Sequence, residues 1–191
     1  MTMCGESQNG MLIEDALDVD APATEYGGRS DILSVGLRVV FCGLNPAVTA
    51  ERDGHNFSSP SNRFWRVLHL AGFTPRLLRA EEERELLAYG CGITAAVPRA
   101  TRSAAELTAD DYATAAPELE AKINRFLPNN LAFLGKAAFA AISGRGDCDW
   151  GLQNEVFAGA RTWVLPNPSG LNRTFNLERL TGHYRDLRSK L

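Results

Sequence analysis

Residues 37–43 (LRVVFCG) constrain this chain more than any other stretch. The run is short, mostly apolar and rich in β-branched side chains, with Gly36 before it and Gly43 closing it. That pattern suits a strand buried on both faces, as strands are in a parallel sheet covered by helices. It stops at Leu44-Asn45-Pro46, where the proline ring fixes its own φ and restricts the asparagine before it. A second strand-like run, RTWVL at 161–165, stops in the same way, at Pro166-Asn167-Pro168. Between them CGITAAV (91–97) and NLAFLG (130–135) read as further strands. Strands alternating with helical stretches predict an α/β fold, a three-layer αβα sandwich around a central, mostly parallel sheet.

The helical stretches carry their own punctuation. NRFWRVLHLAGF sets Phe64, Trp65, Leu68 and Ala71 at helical spacing, with Gly72 at the end. EEERELLAYG (81–90) predicts a helix with acids in its first turn and a closing glycine. Ser103 or Thr108 can cap the next stretch, 106–127, expected to be helical in two segments with Pro117 starting the second. Residues 136–144 read as a short helix and 177–191 as an amphipathic final one.

These elements make one domain over 36–191, long enough to bury a core. Residues 1–35 lack sustained periodicity and are expected to be a mobile acidic leader. The net charge of −3 is unevenly spread: residues 1–31 carry seven acids and one base, so the remainder is mildly basic at +3. That permits nucleic-acid binding without demonstrating it. No stretch approaches the roughly 20 apolar residues of a membrane span, and the N-terminus lacks a signal-peptide pattern, so a cytoplasmic protein without a membrane partner is expected. Cys4, Cys42, Cys91 and Cys148 are far apart, and His55, His69 and His183 have no ligand-like spacing. No metal site and no cofactor are expected.

In parallel α/β sheets, sites form at the carboxyl ends of the strands. Both Asn-Pro corners stand at such ends. Either alone is ordinary turn chemistry. A third motif lies between them: Phe57-Ser58-Ser59-Pro60-Ser61-Asn62-Arg63-Phe64-Trp65. Phe64 and Trp65 belong to a packed helix face, but Phe57 stands in a polar loop, where it is suited to stack on a flat ligand.

Gly43-Leu44-Asn45-Pro46, then Phe57, Pro60 and Asn62-Arg63-Phe64-Trp65, then Asn167-Pro168-Ser169-Gly170-Leu171-Asn172-Arg173 together resemble the mismatch-specific uracil-DNA glycosylase and thymine-DNA glycosylase family. The resemblance runs from about Leu37 to the C-terminal helix and implies a uracil-DNA glycosylase-like fold. It implies a monofunctional enzyme of base-excision repair that flips uracil, or another damaged or mismatched base, typically opposite guanine, and hydrolyses its N-glycosidic bond. Asn45 takes the position of the family's catalytic asparagine, which holds the attacking water. Backbone N–H groups near Leu44 and Phe57 are expected to receive the oxygens of the leaving base, within a pocket that Gly43, Pro46, Ala47 and Asn167 complete. Ser169 to Arg173 resemble an intercalating loop with Leu171 as wedge, and Pro168, Ser169, Gly170, Asn172 and Arg173 as its DNA-facing frame. The implied partner is double-stranded DNA carrying uracil or a mismatch, bound by a monomer. The family usually has glycine where this chain has Ala47, which bears on how far 5-substituted bases are accepted.

Three charged residues outside the motifs are candidates for roles of their own or for plain surface positions. Asp111 is an accessory candidate beside Asn45, against its simpler reading as a first-turn surface acid. Lys136, at an expected helix start, is a candidate phosphate contact. Asp53 reads as a surface acid. No lysine occurs in the motifs, which gives no support to a Schiff-base lyase. Two alternatives stay open: a mismatch-binding DNA module without turnover, and a nucleotide-binding α/β protein. The second lacks a GxGxxG or Walker loop after the first strand.

Overall fold

The apolar run enters the sheet as β1 (Val39–Gly43), with Val39 to Cys42 wholly shielded from solvent. The computed structural model describes residues 31–191. The sheet has five strands in the order β2-β1-β3-β5-β4, with β2 at Cys91–Ala95, β3 at Asn130–Leu134, β4 at Gly151–Phe157 and β5 at Ala160–Leu165. β1 pairs in parallel with β2 and β3, and β3 with β5; only the edge strand β4 runs antiparallel.

Both sheet faces are covered, as the mixed α/β pattern requires. On one side Val39, Phe41, Ile93, Ala132, Trp163 and Leu165 pack against α2 (Phe64–Leu70), α5 (Leu177–Ser189) and a 3-10 helix over Ala80–Tyr89. On the other, Val40, Cys42, Leu131, Phe133 and Val164 pack against α3 (Ala109–Phe126) and α4 (Lys136–Ser143). The remaining helix, α1 (Val48–Asp53), buries no residue and lies just beyond the first Asn-Pro corner.

Several local expectations are corrected. Residues 106–127 do not break at Pro117. α3 is one helix, because Ala115, Leu119 and Ile123 form a single buried stripe. Pro117 is exposed, so the carbonyl that loses its N–H partner faces water. Ser103 and Thr108 both act as caps, Ser103 on a 3-10 turn over Ala104–Glu106 and Thr108 on α3. The stretch after Ala80 is 3-10 rather than α, and its buried residues Ala80, Glu83 and Leu86 recur every third position, the period of that helix. β4 was not foreseen; GLQNEVF is largely exposed and carries no apolar alternation.

The folded body also starts earlier than residue 36. Ile32 bridges Ile93, Ile32 and Leu33 are buried, and Asp31 pairs with Lys122 at 2.7 Å. The rest of the expected leader, 1–30, lies outside the described residues. No helix among the described residues is long and apolar enough to cross a membrane.

Candidate active site

At the carboxyl ends of β1, β3 and β5 the chain opens a cleft of about 520 Å³, within the usual size of small-molecule sites. Chain order leaves β1 for β2 on one side and β3 on the other, so the cleft stands where the sheet's winding reverses. Its lining holds Asn45 and Asn167, the two corner amides, together with Gly43, Leu44, Pro46, Ala47, Phe57, Ser169, Leu171 and Asn172. Arg102 is the only ionisable side chain among the lining residues. A group able to take or give a proton near neutral pH is therefore missing from the lining. Among the described residues no cluster of three His, Cys, Asp or Glu is placed to hold a metal.

The first corner is laced to a neighbouring loop. The carbonyls of Gly43 and Leu44 accept from the N–H groups of Ala96 and Val97, both at 2.8 Å. Pro46 O accepts from Thr101 N at 3.1 Å, and Val48 N donates to Thr101 O at 3.2 Å. The Asn45 side chain is held inside this lacing. Its Nδ2 donates to Thr101 Oγ1 at 2.7 Å, to Arg99 O at 3.0 Å and, more weakly, to Pro46 O at 3.3 Å. A backbone carbonyl only accepts, so Arg99 fixes which end of the amide is nitrogen. Oδ1 is left as an acceptor without a protein partner among the described residues. Ala47 follows with φ −78° and ψ 148°, ordinary for alanine, so its Cβ enters the lining without backbone strain.

The second corner is held from the other end. Asn167 Oδ1 accepts from Ser169 N at 2.9 Å, and Asn167 O accepts from Asn172 Nδ2 at 2.9 Å. Asn167 Nδ2 is left as the free donor. Behind it stands Gly135, at the end of β3 with φ +110°; a Cβ there would lie 3.3 Å from Asn167 Cβ.

Phe57 adopts φ 53°, a left-handed value that is strained for a bulky residue. Its ring stacks on Phe64 at 4.0 Å and 27°. Asn56, beside it in the lining, donates from both N and Nδ2 to buried Glu83, at 2.8 and 2.9 Å. Leu171 is 89% exposed at the rim, the most exposed large apolar side chain among the described residues. Of its neighbours, Gly170 and Arg173 are exposed and Pro168 is buried; none of these three lines the cleft.

Two candidates are not brought to the cleft. Asp111 caps α3 through Thr108 and forms a two-pronged pair with Arg99, Oδ1 to Nε at 2.8 Å and Oδ2 to Nη2 at 2.7 Å. The guanidinium and the Thr108 bonds hold its carboxyl well below the usual carboxylate range, so it is an ionised partner of Arg99 and a weakened proton acceptor. Lys136 donates to the Cys148 carbonyl and lies 5.1 Å over the Trp150 ring.

Three contributors were not foreseen. Thr101 is buried and carries no motif signal; only the folded chain sets it under Asn45. Glu83 looks in sequence like a helix-start acid, yet it is buried and accepts from Asn56. Arg63 lies inside a quoted motif, yet its task is visible only in space. Nε donates to Pro168 O at 3.2 Å, Nη2 to Ser169 O at 2.7 Å and Asn172 O at 2.9 Å, and Nη1 to Phe175 O at 2.6 Å.

The family model of the Uracil DNA glycosylase superfamily matches residues 31–188. A solution NMR structure from Methanosarcina acetivorans, described as a candidate uracil DNA glycosylase, superposes with a TM-score of 0.53 at 18% sequence identity. The match covers 85% of this chain and 98% of that one, and at this identity it speaks for the fold.

Proposed function

Since the chain belongs to the uracil DNA glycosylase superfamily, we propose that it is a monofunctional DNA glycosylase acting on uracil, typically opposite guanine, in duplex DNA. The observation that carries this reading is the pair of corner amides in one cleft, Asn45 with its oxygen free and Asn167 with its nitrogen free. The uracil is extruded into the cleft and lies against Phe57, whose opposite face is backed by Phe64. Asn167 Nδ2 and nearby backbone N–H groups donate to the pyrimidine oxygens. As the bond between C1′ and the base nitrogen breaks, its electron pair departs with the base, and these donors stabilise the growing negative charge. A water donating to Asn45 Oδ1 attacks C1′ and forms the new C–O bond; its proton passes to solvent or to the departing base. An amide is too weakly basic to take that proton early, so the water attacks a sugar already oxocarbenium-like. No lysine lines the cleft among the described residues, so the product is an abasic site with an intact strand. Leu171 fills the gap that the base leaves.

The test is an end-labelled duplex with one U·G pair, incubated with the protein and then treated with alkali. Cleavage at the uracil only after alkali is the expected result. Tight mismatch binding with no abasic product would replace this reading with that of a binding module.

A further inference from the structure

We infer that Arg63 is the positioning residue that holds the Leu171 loop in its duplex-entering posture and locks that loop to the base pocket. The inference rests on the glycosylase reading above. A loop tip bearing an 89% exposed leucine gains little from packing and would ordinarily wander. Here the loop is bent around a side chain from another part of the chain. Arg63 reaches carbonyls at 168, 169, 172 and 175, spanning the loop from before Leu171 to after it, and its own N–H donates to Pro168 O at 3.0 Å. A guanidinium is planar, always charged and has five donors in a fixed fork, so four converging carbonyls set one loop shape. These four partners are all neutral carbonyls, so the positive charge of Arg63 stays beside the Leu171 loop.

The same segment anchors the pocket. Arg63 precedes buried Phe64, on which Phe57 stacks. Gly170 packs against Ser61 so closely that a Cβ would lie 2.6 Å from Ser61 O. Stacking platform and wedge thus share one mount. Insertion of Leu171 at one end fixes where the extruded base meets Phe57 at the other.

Single-turnover release of uracil is measured from a U·G duplex and from a single strand of the same sequence, which needs no wedge. Arg63→Ala is expected to lower the duplex rate roughly tenfold or more while the single-strand rate falls far less. Arg63→Lys, with charge but no planar fork, falls between. Gly170→Ala keeps the guanidinium, displaces the loop from Ser61 and is expected to show the same selective loss. Combined with Leu171→Ala, Arg63→Ala adds little further loss on duplex, because both act through one loop. Equal loss on both substrates, or full additivity with Leu171→Ala, would overturn the inference. If Arg63→Ala does not fold, Arg63→Lys and Gly170→Ala decide by the same ratio. Wild-type protein inactive on both substrates would instead remove the glycosylase reading itself.

Discussion

The corners Asn45-Pro46 and Asn167-Pro168 share a dipeptide, a place at the end of a parallel strand, and a cleft. They are separated by β3 and held in opposite senses. At the first, a hydroxyl and a carbonyl engage the amide nitrogen and leave oxygen exposed to the cleft. At the second, a backbone N–H engages the oxygen and leaves nitrogen exposed. One sequence element therefore supplies both a free acceptor and a free donor, which the proposed mechanism uses for the nucleophilic water and the departing anion. An asparagine's role here is set by which half of it is already bonded. In a cleft whose only ionisable lining residue is an arginine, the proposed mechanism relies on this division in place of an acid–base pair.

Substitutions can separate the two roles. Asn45→Ala is expected to cut turnover about 10²-fold or more, similarly for every base, with DNA binding by gel shift nearly unchanged. A parallel loss of binding would make the corner structural. Asn167→Ala is expected to cost up to about 10²-fold, in proportion to how poor the leaving base is. Uracil should therefore suffer more than the more acidic 5-fluorouracil, and a loss independent of the base would merge the two corners' roles. Thr101→Val removes an acceptor from Asn45 Nδ2 and should lower the rate by roughly tenfold, the worth of about one hydrogen bond. Gly135→Ala places a methyl against Asn167 at a φ that alanine resists; about 1–3 kcal/mol of stability should be lost, read in a denaturant melt. The smallest effect expected is that of pH. Apart from Arg102 the lining holds no ionisable side chain, so kcat should stay level between about pH 5 and 9, and a bell-shaped profile would reveal a participant from outside the cleft.

Asp111 and Lys136 show what linear reading leaves open. Both were sensible by type and by place at a helix start, yet each has a partner inside the fold, Asp111 in Arg99 and Lys136 in Cys148 O. Sequence gives a charge; it does not say what that charge meets once the chain is folded. β4 escaped for a related reason. An edge strand with exposed side chains on both faces has no hydrophobic period to report it.

The sequence by itself determined the parallel core, the two strand-end amides and the motif loop over 168–173, because apolar period, Asn-Pro stiffness and local motifs are properties of neighbours along the chain. Asn167 is turned by its near neighbour Ser169, whereas only the tertiary structure decided that Asn45 keeps its oxygen free, that Thr101 lies under it, and that Arg63 grips residues 168–175. Those outcomes depend on hydrogen-bond partners between about 50 and 110 positions away, whose direction no local pattern encodes.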